Sequence, residues 1–458
     1  MSRSAKQLRD DALAIWQAGV DAVRSDHLVL DTVHVDAGQL VVGDQILLLN
    51  DIGRIMVVGC GKAGAGMAAG LETALGDRVL DQKRAEGWVN VPDDCVRSLK
   101  RIHLHGARPA GVNEPTQEGV DGAERILELV QPLAPDDLCL CLISGGGSAL
   151  LPAPVEGITL ADKLAVTCHL SAAGANILEL NTVRKQLSRI KGGALARACR
   201  ASRLITLIIS DVLGDPLDVI ASGPTVEDTS TPRDALDVLN RFDARNAGIS
   251  AAVFEYLEKA DNEILRSERE PTCHVTNLII GNNKTAVQAA GQEAERRGYQ
   301  TELDAVQHLE GEAEQIGGEL ADEALRMRDA SGPRCLISGG EPTVKLVDSA
   351  QRGLGGRNQQ LVLAALQRLI DQNAESSHGF ALLSGGTDGE DGPTDAAGAI
   401  LDADVVTAMQ AKGLTAADHL ARNDAYNFFD PLDALIRTGP THTNVCDIRV
   451  IVTDDSDE

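Results

Sequence analysis

Two positively charged side chains, each framed by glycines, are the residues of this sequence best suited to chemistry. Lys62 stands inside GCGKAG (59–64), between an apolar run at 54–58 and a small-residue segment at 62–75 that predicts a helix. Backbone N–H groups at such a turn favour an anion, and a lysine within it adds a mobile point charge. That combination suits a phosphoryl group in transit more than a pyrophosphate merely held. Arg357 stands in GGRNQ (355–359), ahead of a helix predicted over 360–370. Its planar fork suits the spread charge of a transferring phosphoryl group. The plain alternatives are a surface lysine and a helix-start arginine in a structural ion pair.

GCGKAG also matches GxGxxG formally, the dinucleotide fingerprint, which needs an acidic residue about 20 positions on. Glu86 and Asp93 flank a predicted strand at 87–91 without settling the matter. The spacing is not that of a Walker A loop, and the protein-kinase signatures are missing as a set. A second glycine turn, Ser144, Gly145, Gly146, Gly147 and Ser148, follows a strand predicted at 138–143 and offers a nest for a carboxylate or phosphate. Segment 181–193 concentrates Arg184, Lys185, Arg189 and Lys191, for which a solvated helix face and a substrate-facing role weigh equally. Asp211 closes a strand predicted at 204–209, where a carboxylate can hold Mg²⁺ through water, orient a hydroxyl or cap a helix. The loop 385–398 packs Asp388, Glu390, Asp391 and Asp395 with a spacing that fails as an EF-hand and leaves a Mg²⁺ or nucleotide loop open. CLISGG occurs at 141–146 and 335–340, and LLSGG at 382–386. Three strands ending alike predict a shared phosphate-facing rim.

The elements that must position these residues alternate between strand and helix, predicting an α/β protein. A chain of 458 residues predicts two domains, with the boundary near Asn240. Residues 4–23 predict an amphipathic opening helix. Residues 225–271 predict a helical, acidic connection ending in the charged stretch 266–270. Aromatics make up 2% of the chain, so the core must be aliphatic, as in buried parallel strands covered by helices. A net charge of -26 argues against nucleic acid and anionic membrane surfaces. Nine cysteines without a CxxC pair predict reduced core thiols, and the charged N-terminus is neither a signal peptide nor a membrane span, which predicts a cytoplasmic location.

Taken in order, GCGKAG, SGGGSALL, LNTVRKQLSRIKGG, SDVLGDPLDVIASGPT, SGGEPTV, GGRNQ, GGTDGEDGPTDAAGA and TNVCDIRV resemble the class II glycerate 2-kinases, from about 54 to 450. The resemblance implies an N-terminal Rossmann-like α/β/α sandwich at 1–240 and a C-terminal α/β domain with a mixed sheet at 241–458, whose MOFRL region covers about 334–450. It places the active site in the interdomain cleft. It implies transfer of the ATP γ-phosphoryl to the 2-hydroxyl of D-glycerate with Mg²⁺ or a similar divalent cation. Lys62 and Arg357 would be the catalytic pair, assisted by Asp211. Gly61, the turn 144–148 and Arg184 would hold substrate or phosphate. Gly340, Glu341, Asn358, Thr387 and Asp388 would meet the nucleotide, and Asp388 and Asp391 a metal. A homo-oligomer is compatible with it. The chain departs from the family pattern at Arg108 with Pro109, at Gln186 in place of a frequent His, and at His442 in place of a usual glycine. The competing readings are a nicotinamide-dependent hydroxypyruvate reductase, from GxGxxG, and a non-catalytic sugar-phosphate sensor using the same anion-binding turns.

Overall fold

Near-continuous apolar runs, such as Leu138–Ile143 and Arg203–Ile209, where buried Thr206 is the one polar residue after exposed Arg203, belong to parallel strands buried on both faces. In the computed structural model, which describes residues 3–109, 111–112, 114–264, 273–306, 308, 310–372 and 379–454, these strands lie side by side in a six-stranded sheet. Across it the order is Ile102–Arg108, Glu86–Pro92, Ile55–Cys60, Leu138–Ile143, Arg203–Ile209 and His274–Gly281. Counted along the chain this is 3-2-1-4-5-6, and the first five pair in parallel. It is the doubly wound order, whose winding reverses between strands one and four. One of those two strands leads into Lys62 and the other into Ser144, and Cys60 pairs with Ile143 at their ends. A three-stranded antiparallel sheet, Val33–Asp36, Gln39–Val42 and Gln45–Leu48, had no counterpart in the sequence reading.

The compact units divide at Arg24 and Ile280, not near Asn240. Helices Pro232–Arg241 and Ala251–Ile264 are not a connection. Their faces, Leu236, Leu239, Val253 and Phe254, share an apolar core with Val166, Leu170 and Val183 from helices Leu160–Ala172 and Ile177–Gln186. This core straddles the expected boundary, so the first unit runs over Ser25–Ile280. The charged stretch 266–270 lies outside the described residues.

The second unit combines Met1–Arg24 with Gly281–Glu458. Helix Ala5–Ala22, close to its predicted bounds, begins in a Ser4–Gln7 capping box and buries Leu8, Ile15, Trp16 and Val20. The Trp16 indole donates to Gly385 O at 3.2 Å, fixing the N-terminal helix to this unit. Its sheet is mixed, as expected: Gln300–Asp304 pairs in parallel with Arg334–Gly340, and the remaining neighbours are antiparallel. The wholly buried strand Asp447–Thr453 runs between Arg334–Gly340 and Phe380–Gly386, pairing Asp447 with Gly340 on one side and Gly386 on the other. Two of the three repeated Ser-Gly-Gly ends therefore share one rim, flanking Asp447, and the third belongs to the first unit.

Among the described residues no helix is long and apolar enough to cross a membrane. None of the nine cysteines is in a disulfide; seven are buried as expected, while Cys95 is half-buried and Cys168 exposed.

Candidate active site

The Lys62 turn is locked to the Ser144 turn. Lys62 N donates to Gly145 O at 2.8 Å, Ala63 N to Ser144 Oγ at 3.0 Å, and Ser144 N to Cys60 O at 3.1 Å. Gly61 has φ +139, and a Cβ there would collide with Ser144 Oγ, so glycine is required by the neighbouring turn. The space above Gly61 is thus filled by protein. A Cβ on Gly146 would lie 3.2 Å from an Arg108 guanidinium nitrogen and 3.4 Å from the Lys62 stem. Arg108, one of the departures, therefore brings a buried cation to the turn beside half-buried Lys62.

Asp211 lies against the same turn, where its carboxylate fills the position of a Gly145 Cβ. Ser148 Oγ is 2.8 Å from Ser222 Oγ, which donates to Asn181 Oδ1 at 3.1 Å. Ala221 and Ser222 hold φ of 51° and 61°. Consecutive left-handed residues other than glycine cost on the order of 1 kcal/mol each and persist where the surroundings impose them.

The basic segment divides in two. Lys185 pairs with Asp218 at 3.2 Å and Asp228 at 3.6 Å, and Arg189 with Glu124 at 2.6 Å, which are structural roles. Arg184 and Lys191 have no carboxylate within ion-pair distance among the described residues. Lys191 is 3% exposed and donates to Ser148 O at 2.8 Å, behind the glycine turn. Lys163, which sequence reasoning did not single out, donates to Leu187 O at 2.8 Å and is electrostatically coupled to both Arg184 and Lys191. Gln186, another departure, is tied by its amide to Asp228 and Ser230.

In the second unit Arg357 opens helix Arg357–Asp371 and is gripped by two carboxylates. Its Nε and one terminal nitrogen reach Asp447 at 2.7 and 2.9 Å, and the other terminal nitrogen reaches Glu341 at 2.9 Å. Burial alone would lower the Arg357 pKa, but Asp447 and Glu341 outweigh it and hold the guanidinium charged. Burial raises the Glu341 pKa, with Arg357 opposing and Asp447 and Asp388 adding to the rise. Asp447 went unrecognised in the sequence, where it begins an ordinary apolar strand.

Several expected nucleotide contacts are occupied inside the fold. Asn358 donates to Asp391 at 3.3 Å and accepts from Ser384 Oγ at 2.6 Å, and Thr387 Oγ1 donates to Cys446 O at 2.7 Å while accepting from Val445 N at 2.8 Å. A Cβ on Gly340 would collide with Glu310 and Arg449, which form an ion pair over it. Asp391, expected at a metal, caps helix Arg357–Asp371: its buried oxygens accept from Asn358 N at 3.0 Å and Gln359 N at 2.8 Å. Among the described residues no three His, Cys, Asp or Glu side chains are grouped to hold a metal. Magnesium commonly binds through one or two carboxylates plus substrate phosphates. Half-buried Asp388 and Glu341, close to one another electrostatically, fit that mode. His442 has φ +60, which explains why the resemblance expects glycine at this position.

A doubly wound sheet with cations gathered on glycine turns at its reversal point, joined in one chain to a mixed-sheet unit carrying a carboxylate-held arginine, defines an α/β protein equipped for phosphate chemistry. Two family models match: a domain of unknown function (DUF4147) over residues 11–258 and the MOFRL family over residues 334–447. The glycerate kinase of Rattus norvegicus is 37% identical over 98% of this chain and 94% of that protein, and the Homo sapiens glycerate kinase has the same identity and shares. An Agrobacterium vitis protein named as a hydroxypyruvate reductase is 39% identical over 88% of this chain and all of that one. The crystal structure of Thermotoga maritima glycerate kinase matches with a TM-score of 0.82 and 34% identity, covering 98% of this chain and 100% of that one. The chain belongs to the glycerate kinase family with a MOFRL region.

Proposed function

We propose that this protein transfers the γ-phosphoryl group of ATP to the 2-hydroxyl of D-glycerate, giving 2-phosphoglycerate and ADP, as a cytoplasmic enzyme of small molecules. The observation that carries the reading is Lys62 at the reversal of the doubly wound sheet, with Arg108 beside it over Gly146, in a chain that aligns end to end with glycerate kinases. The hydroxyl oxygen forms the new bond to phosphorus, the bond to the ADP oxygen breaks, and the hydroxyl proton passes to water. Such transfer depends on positioning and charge neutralisation. Lys62 supplies a mobile cation to the migrating group, Arg357 supplies a fixed one, and Asp211 orients the hydroxyl. The glycine turn 144–148 holds the acceptor. Asp388 and Glu341 would hold a Mg²⁺ ion bound with the nucleotide, which would supply further charge neutralisation on the phosphates.

The test is incubation with Mg-ATP and D-glycerate, coupled to enolase with no mutase present, so that only the 2-phosphate registers. Lys62→Ala should lower kcat about 10²- to 10³-fold, as expected for losing one transition-state donor, with unchanged urea midpoint. A signal that appears only when mutase is added would move the product to the 3-phosphate.

The name of the Agrobacterium vitis relative motivates a second reading, reduction of hydroxypyruvate by a nicotinamide cofactor. Ser144 filling the space over Gly61 counts against it. Protection from heat by NADH and none by Mg-ATP would favour it over the kinase.

A further inference from the structure

We infer that Lys163, Arg184 and Lys191 together form the subsite that binds the acceptor's carboxylate and so restricts the enzyme to acidic acceptors; the inference rests on the kinase reading and names residues for its specificity. The three come from separate segments: helix Leu160–Ala172, helix Ile177–Gln186 and the loop that follows it. Among the described residues none has a carboxylate within ion-pair reach. In a chain with 68 acidic against 42 basic residues, that is a selective arrangement. Acid is available locally, since adjacent Lys185 takes both Asp218 and Asp228.

Gathering like charges away from water is unfavourable. Burial, then Lys163 and Arg184, lowers the Lys191 pKa well below its usual value, and burial, then Arg184, brings Lys163 down to about 7. An anion relieves all three at once. Lys191 is anchored on Ser148 O, with the Ser148 and Ser222 hydroxyls alongside. Lys62 reaches Gly146, only two residues earlier on the same turn. Two residues of backbone span at most about 7 Å, the scale of a three-carbon hydroxy acid with its carboxylate at one end and its reacting hydroxyl towards the other. The planar Arg184 fork matches a carboxylate, while Lys62 and Arg108 serve the phosphoryl end.

The test uses the full chain and the variants Arg184→Gln, Lys191→Met, Lys163→Met and charge-retaining Lys163→Arg, with ADP release measured against D-glycerate, the neutral amide glyceramide, and ATP. The KM for glycerate should rise at least about 30-fold in the three neutral variants and stay near wild type in Lys163→Arg, with the KM for ATP unchanged. The wild-type preference for glycerate over glyceramide should collapse. In thermal melts without ligand the neutral variants should be as stable as wild type or more so, having shed like-charge repulsion; glycerate should no longer protect them, while Mg-ATP still does. Glycerate KM values within twofold of wild type would overturn the subsite, as would lower melting temperatures with glycerate protection intact. A wild-type protein that binds glycerate but never phosphorylates it would instead sink the kinase reading, and the protection data would still decide the subsite.

Discussion

Arg357 holds both carboxylate oxygens of Asp447, and Asp447 has no exposure to solvent. The arginine proposed to act on phosphate is thus also the counter-charge of a buried acid. Stripping one partner from a buried pair costs about 3–5 kcal/mol because the other is left charged and unpaired. Arg357 is itself a third exposed, so water can enter after its removal, which places Arg357→Ala near the lower figure. Urea denaturation should show this loss, and Arg357→Ala with Asp447→Asn should recover most of it without recovering activity. An Arg357→Ala protein as stable as wild type would show that Asp447 does not depend on this pair.

Asp391 offers a cleaner dissection of structure from metal binding. Its carboxylate accepts from two backbone amides at the start of helix Arg357–Asp371, so Asp391→Ala should cost about 1–2 kcal/mol as a lost cap. The Mg²⁺ concentration for half-maximal rate should stay as in wild type, whereas Asp388→Asn should raise it. A tenfold shift in the Mg²⁺ requirement of Asp391→Ala would return Asp391 to the metal.

Lys163 gives the site a pH signature. Burial and the neighbouring Arg184 lower its pKa from 10.5 to about 7, so at pH 8 it is mostly neutral in the free protein. A bound carboxylate restores the proton. Glycerate binding at pH 8 should therefore take up a proton, readable by calorimetry in Tris and in HEPES, and the uptake should fade towards pH 6, where Lys163 is already charged. The same depression means that the unfolded chain binds more protons than the folded one between about pH 7 and 10.4, so this residue's contribution to ligand-free stability rises with pH across that window. Binding heats that do not differ between the buffers at pH 8 would contradict it.

What the sequence disclosed followed from local rules. Strand Leu138–Ile143 and helix Ala5–Ala22 are written in apolar runs and spacing, and Gly61 marked the Lys62 turn because only a residue without Cβ fits beside Ser144. What stayed hidden depended on partners far along the chain. Asp447 lies 90 residues from Arg357, and nothing in DIRV distinguishes it from a strand's first residue. Lys163 is a single cation in an otherwise ordinary helix, and only packing brings it to Arg184 and Lys191. The basic segment 181–193 could be recognised as unusual, but separating Lys185 and Arg189, which pair with carboxylates, from Arg184 and Lys191, which among the described residues have none in ion-pair reach, required the positions of Asp218, Asp228 and Glu124. The division of the chain was hidden for the same reason: the charged outer faces of helices Pro232–Arg241 and Ala251–Ile264 suggest a connection, while their inner faces pack on helices earlier in the chain.

The N-terminal helix makes the last test, since it belongs by burial to the unit farther along the chain. Leu8, Ile15, Trp16 and Val20 are at most 1% exposed, and a Cβ on Gly19 would press against Ile448 at 2.8 Å. At about 1.5–3 kcal/mol for each large buried side chain, these four contribute on the order of 8 kcal/mol, comparable with the whole stability of an ordinary domain. Deleting residues 1–24 should therefore unfold the second unit selectively. Hydrogen exchange should show strands Phe380–Gly386 and Asp447–Thr453 losing protection, while Ile55–Cys60 and Leu138–Ile143 keep theirs, because their sheet lies within Ser25–Ile280. Trp16→Ala should do the same more mildly, costing about 3–5 kcal/mol through the cavity it leaves. Protection lost first from the parallel sheet would mean that the helix supports the other unit, and the division at Arg24 would have to be abandoned.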